Sequence, residues 1–267
     1  MPLSVVAKAS EALGGVRMEL GPHVTAKQIS QRQWHSGGNQ GFEVLNAGPQ
    51  RLRSVLTVSN RHHFPLPDFQ NGDEIRFPGA LVSALLDRFT KPGDAVFDPF
   101  VGLGTTFFVC EQSGRLPYGI EADRQRYEWV RERITAKHHL ICGDSAELAA
   151  FDFPEMDFCI TSPPYMPHWH KWNPLYNGDP DYDGYDIYLK RMQEIFGRIC
   201  QRMKTNAYLV VQADNLTNEQ FSPLVWDLGR ALSEVMTLEG EIMVNWSEAV
   251  ESGNQFTQCL VFRNTGG

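Results

Sequence analysis

Within Ile160-Thr161-Ser162-Pro163-Pro164-Tyr165 a hydroxyl, two consecutive prolines and a phenol ring stand side by side. Proline fixes the backbone and removes an amide donor, so this segment offers carbonyl oxygens that no neighbouring amide competes for. An exocyclic amine on an aromatic base is a poor nucleophile because its lone pair is delocalised into the ring. Two acceptors, the Ser162 hydroxyl and the Pro163 carbonyl, would favour its pyramidal form and aim the lone pair. Tyr165 adds a flat face on which an extruded base can stack. The same residues also suit a rigid proline turn with no chemical task.

A second group lies upstream. Gly102 and Gly104 stand in Asp98-Pro99-Phe100-Val101-Gly102-Leu103-Gly104-Thr105-Thr106, between an apolar run and a helical pattern. Glycines there let a cofactor approach the backbone closely. Glu121, 17 residues after Gly104, ends the next apolar run and suits an acceptor for two ribose hydroxyls. Asp144 follows the third run, either as an acceptor for an adenine amino group or as a helix N-cap. A site for a dinucleotide pyrophosphate would want a third glycine, but Thr105-Thr106-Phe107 follows Gly104. An adenosine cofactor without phosphates fits better.

The elements that must position these groups alternate. Ala80, Leu81, Val82, Leu85, Leu86 and Phe89 recur at helical spacing before Lys91-Pro92-Gly93-Asp94 stops the helix. Strands are expected at 95–97, 117–121, 139–142, 156–161, 208–212, 241–245 and 258–262. Helices are expected through Gln112, at 124–137, at 224–235 and on a face from Tyr188 through Leu189, Met192, Ile195, Phe196 and Ile199 to Met203. This predicts a doubly wound, mostly parallel sheet of α/β class, with the last two strands as an antiparallel edge hairpin. Residues 1–70 read as an N-terminal extension, a DNA-contacting arm with a short helix near Val5–Leu13, and residues 71–267 as the catalytic domain. In a doubly wound sheet both groups then fall at the carboxyl ends of strands, side by side.

These two phrases resemble the signatures of the DNA amino-methyltransferase family: D-P-F-x-G-x-G-T-T at Asp98–Thr106 and [D/N/S]-P-P-[Y/F] at Ser162–Tyr165. Arg76-Phe77-Pro78 is similar to its cofactor-contacting stretch. The resemblance covers roughly residues 70–263 and implies the class I methyltransferase fold and S-adenosylmethionine as cofactor. It implies a pocket lined by Phe77, Asp98, Pro99, Phe100, Gly102, Gly104, Thr105, Glu121 and Asp144. It implies a catalytic tetrad of Ser162, Pro163, Pro164 and Tyr165 that methylates a base amine after base flipping. A serine leading the tetrad is commoner among cytosine-N4 enzymes, so N4 of cytosine is the first expectation and N6 of adenine the alternative. Leu103 departs from the small or hydroxyl residue usual there.

Composition bounds the rest. A net charge of −8 from 24 basic and 32 acidic residues disfavours tight nonspecific binding to phosphate backbones. The basic cluster Arg51, Arg53, Arg61, His62 and His63 and the aromatic loop Met166–Asp183, with His168, Trp169, His170, Lys171, Trp172 and Tyr176, are the candidate DNA contacts. Five dispersed cysteines signal neither disulfides nor zinc, and none follows a proline, which excludes carbon-5 cytosine chemistry. No apolar run reaches membrane-spanning length, and a cytoplasmic setting is expected. Expected partners are DNA and either a cognate restriction endonuclease or a separate recognition subunit. An RNA amine as substrate and a role as inactive cofactor-binding subunit remain open.

Overall fold

The computed structural model describes residues 55–70, 76–165, 184–216, 221–248 and 255–266. The expected helix near Val5 and the aromatic loop 166–183 lie outside the described residues. Eight strands form one sheet: β1 (Val55–Val58), β2 (Ala95–Asp98), β3 (Leu116–Glu121), β4 (Leu140–Cys142), β5 (Met156–Thr161), β6 (Met203–Ala213), β7 (Thr237–Trp246) and β8 (Phe256–Arg263). Their order is β1-β7-β8-β6-β5-β2-β3-β4, and every pairing is parallel except the two that β8 makes. The sheet is the expected mostly parallel one, with the antiparallel hairpin β7–β8 towards one end.

Five helices connect the strands: α1 (Gly79–Phe89), α2 (Thr105–Gln112), α3 (Arg124–Arg133), α4 (Tyr185–Cys200) and α5 (Leu224–Leu232). Alternation along each central strand sends successive side chains to opposite faces. Phe97, Cys159, Leu209 and Val211 pack with Tyr188, Met192 and Ile195 of α4 and Leu224 and Leu228 of α5. Val96, Phe158, Ile160 and Val210 pack with Leu81, Val82, Leu85 and Leu86 of α1. Strand β2 is buried along its whole length, as a parallel strand covered on both faces must be.

Three details depart from the sequence reading. Met203, assigned by periodicity to the α4 face, starts β6 instead, because α4 ends at Cys200 and the chain turns there. Strands β6 and β7 start several residues earlier than the apolar pattern suggested, β6 across a register shift at exposed Lys204–Asn206 and β7 through exposed positions that the ladder with β8 holds. Strand β1, drawn from the N-terminal extension, pairs in parallel with β7 from Val55↔Met243 to Val58↔Trp246. Half of its four residues are exposed, so it carries little apolar signal.

Candidate functional site

All seven strands that run in parallel point their carboxyl ends the same way, and a cavity of about 1050 Å³ opens across those ends. That is the upper end of the roughly 300–1,000 Å³ typical of small-molecule sites, room for a cofactor and a second group. One half is walled by the glycine turn after β2, by Glu121 and Asp123 after β3 and by Asp144 and Ser145 after β4. The other half is walled by Ser162, Pro163, Pro164 and Tyr165 after β5, Gln212 and Asp214 at the end of β6, and Trp246 at the end of β7. The two groups singled out in the sequence thus meet because their strands, β2 and β5, are hydrogen-bonded neighbours.

The glycine turn is built from its backbone. Gly102 has φ 56° and Gly104 φ 82°, a region open to glycine at little cost. A Cβ on Gly104 would also lie 2.8 Å from Val130 Cγ1, so this residue lets α3 close onto the start of α2. Glu121 is mostly buried and accepts from Gly102 N at 2.6 Å and Asp123 N at 2.8 Å. Burial pushes its carboxyl upward, while those two amides and Arg126 pull it back. A carboxylate has about four acceptor sites, so Glu121 retains lone pairs for further donors in the cavity. Asp144 both lines the cavity and caps the following turn, accepting from Ala146 N at 2.8 Å.

Of the residues expected to hold the cofactor, Phe77, Pro99, Phe100, Gly102, Thr105, Glu121 and Asp144 line the cavity. Asp98 and Gly104 are not on its wall. Asp98 is 1% exposed and accepts from Thr106 Oγ1 (2.6 Å), Thr161 Oγ1 (2.8 Å) and Phe100 N (3.1 Å). Burial raises its carboxyl to about 6 despite those donors. It ties the turn after β2 to the end of β5 from behind, and any effect on a ligand passes through that turn.

The Thr105 hydroxyl, at the amino end of α2, is buried and without a hydrogen-bond partner among the described residues. A buried hydroxyl left unmade costs about 1–3 kcal/mol. With the Glu121 acceptors and the apolar faces of Phe77 and Phe100, the donor and acceptor set fits a nucleoside.

On the other half, Ser162 Oγ donates to Tyr165 Oη (3.3 Å), and Tyr165 Oη donates to Gln212 Oε1 (3.2 Å). Burial pushes the Tyr165 phenol upward, so it is neutral across the working range. The Pro164 carbonyl is taken by the Tyr188 hydroxyl at 2.7 Å. No donor among the described residues reaches the Pro163 carbonyl. Gln212, Asp214, Trp246 and Asn60 complete the wall without having been singled out in the sequence, together with His62 of the basic cluster. The available signal was positional: each sits at or just beyond the carboxyl end of a parallel strand. All five cysteines are free thiols, and no metal-binding cluster occurs among the described residues. Arg61 of the basic cluster is exposed and pairs with Glu248 at 3.3 Å.

Residues 25–132 match the family model of N6/N4 methyltransferases, described as DNA methylase. The chain is 38% identical over 61 residues to the Type II methyltransferase M2.DpnII of Streptococcus pneumoniae, covering 23% of each chain. It is 37% identical over 60 residues to the Type II methyltransferase M.HpaI of Haemophilus parainfluenzae, covering 22% of this chain and 19% of that one. The matched stretches span less than a quarter of either relative. The crystal structure of TrmN from Thermus thermophilus shares the fold at 20% identity, with a TM-score of 0.50 over 69% of this chain and 48% of that one.

Proposed function

We propose that the chain, which has the class I methyltransferase fold and matches the N6/N4 DNA methylase model over residues 25–132, transfers a methyl group from S-adenosylmethionine to an exocyclic amine of a DNA base, with N4 of cytosine as the target. The observation that carries this reading is the juxtaposition in one cavity of the glycine turn, Glu121 and Asp144 with the Ser162–Tyr165 segment on the adjacent strand. The bound cofactor supplies an electrophilic methyl on a sulfonium. Glu121 would take the ribose hydroxyls, Asp144 the adenine amine, and Phe77 and Phe100 would supply the apolar faces.

On the substrate half, the Pro163 carbonyl and the Ser162 hydroxyl accept the two N–H bonds of the base amine. Those contacts strengthen as the nitrogen becomes tetrahedral, so they lower the barrier rather than merely bind. The Tyr165 ring supplies a stacking face at roughly 1–3 kcal/mol per base. The hydroxyl at position 162, rather than a carboxylate or amide, favours cytosine by the family pattern.

The test is methyl transfer from radiolabelled S-adenosylmethionine to unmethylated genomic DNA, RNA and protein, followed by nucleoside mass analysis. N4-methylcytosine in DNA is expected. N6-methyladenine would move the target while leaving the mechanism standing, and label in RNA or protein alone would remove the DNA assignment.

A further inference from the structure

The hydrogen bonds behind Ser162 run in one direction. Gln212 is 7% exposed and both ends of its amide are engaged: Oε1 with Tyr165 Oη at 3.2 Å, Nε2 with Thr257 Oγ1 at 2.6 Å. Thr257, 1% exposed, has its own hydroxyl proton directed at an acceptor-only group, the Ala213 carbonyl at 3.4 Å. It must therefore accept from Gln212, which fixes the amide with Nε2 towards Thr257 and Oε1 towards Tyr165. An amide oxygen cannot donate, so the Tyr165 phenol gives its proton to Gln212. The second acceptor beside it, the Gln212 carbonyl at 3.5 Å, demands the same sense. The phenol oxygen then accepts, and the Ser162 proton is drawn onto it at 3.3 Å.

We propose that Gln212 and Thr257 are positioning residues that make Ser162 an obligate hydrogen-bond acceptor, its proton turned towards Tyr165 and its lone pairs towards the substrate amine. The inference rests on the reading of Ser162 as an amine acceptor. Left free, a serine hydroxyl donates as readily as it accepts, and in half of its roles it would oppose the amine N–H. The chain removes that choice before substrate arrives, so no reorientation is needed in the transition state. The two O–H···O contacts at 3.2–3.3 Å are longer than the usual ~2.8 Å. Such contacts tighten when the site is loaded. The topology explains why Thr257 can serve: β8 runs antiparallel, so its amino end lies beside the carboxyl end of β6, with Gln258 opposite Ala213.

A double-mutant cycle on the full chain tests this by single-turnover methyl transfer to unmethylated genomic DNA. Gln212→Leu is expected to slow transfer ~10-fold and the isosteric Thr257→Val several-fold, as a lost neutral hydrogen bond of this kind allows. Cofactor affinity by calorimetry should not move, and Thr257→Ser should restore the rate. In a Ser162→Ala background the same substitutions should change the already reduced rate less than ~2-fold, because their effect passes through the missing hydroxyl. Equal losses in both backgrounds, or no loss with Ser162 present, would overturn the proposal. Should Gln212→Leu fail to fold, the Thr257 pair carries the cycle alone. A wild-type chain that labels only RNA or protein removes the DNA reading instead, and the cycle is then read on that amine. Label in none of the three ends both.

Discussion

Glu121 and Asp98 look alike in the sequence, two acidic residues closing neighbouring strands, yet they stand in different places. Glu121 faces the cavity and its carboxylate also holds the Gly102 amide. Glu121→Gln should weaken S-adenosylmethionine binding by about 1.5–3 kcal/mol, the range for a charge-assisted hydrogen bond. Calorimetry of cofactor binding measures it, and unchanged affinity in a folded variant would remove Glu121 from the pocket. In Asp98 burial instead raises the carboxyl to about 6 in the folded chain, from an ordinary value of 3.8. The folded state then binds more protons than the unfolded state between those values. The stabilisation that results is complete below the lower value and is lost as pH rises through the upper one. Asp98→Asn cannot titrate, so the gap in urea midpoint between wild type and variant should narrow from about pH 5 to about pH 7.5. A widening gap would mean that the carboxylate form is the one the fold prefers.

At the scale of elements, the site depends on how closely α3 approaches the start of α2. Gly104→Ala meets both a positive φ and Val130 Cγ1 at 2.8 Å. A loss of about 1–3 kcal/mol in chemical denaturation is expected from strain of that kind. Adding Val130→Ala should return the steric share of that loss and leave the dihedral share. No recovery would assign the whole cost to the backbone angle. The Ser162–Tyr165 segment is held in the same indirect manner, with Thr161 bonded to Asp98 on one side and the Pro164 carbonyl bonded to Tyr188 of α4 on the other. Tyr188→Phe should therefore lower methyl transfer modestly and leave cofactor affinity unchanged, because the hydroxyl it removes bonds the Pro164 carbonyl on the substrate half.

Over the whole molecule, contacts divide the chain at residue 49, and residues 50–267 form one compact unit that includes β1. A truncation starting at Gln50 should fold and keep cofactor affinity, whereas a start at Arg61 removes β1 and exposes the β7 edge. We expect the Gln50 form to bind DNA more weakly than the full chain if the first 49 residues supply a DNA-contacting arm. Fluorescence anisotropy on duplex DNA, repeated at two salt concentrations, measures this. Equal affinity and equal salt slope would leave recognition to the catalytic unit itself. The net charge of −8 makes any such binding depend on local groups rather than on the overall field.

What the linear sequence determined by itself was the alternation of strands and helices and the two loops that matter. Both are local matters. Apolar periodicity, a glycine turn and a Ser-Pro-Pro-Tyr run are written in consecutive residues, and an α/β sheet must put such loops at its carboxyl edge. Tertiary structure decided which side chains face the cavity. Asp98 was turned inward because β2 is buried on both faces, and nothing in its own neighbourhood distinguishes that from an outward carboxylate. Gln212, Thr257 and the partners of Ser162 became visible only with strand order. Residues 50 and 95 positions downstream of Ser162 reach it because β6 lies next to β5 and the reversed β8 lies next to β6. Contacts across a sheet are set by pairing and register, which no single segment encodes.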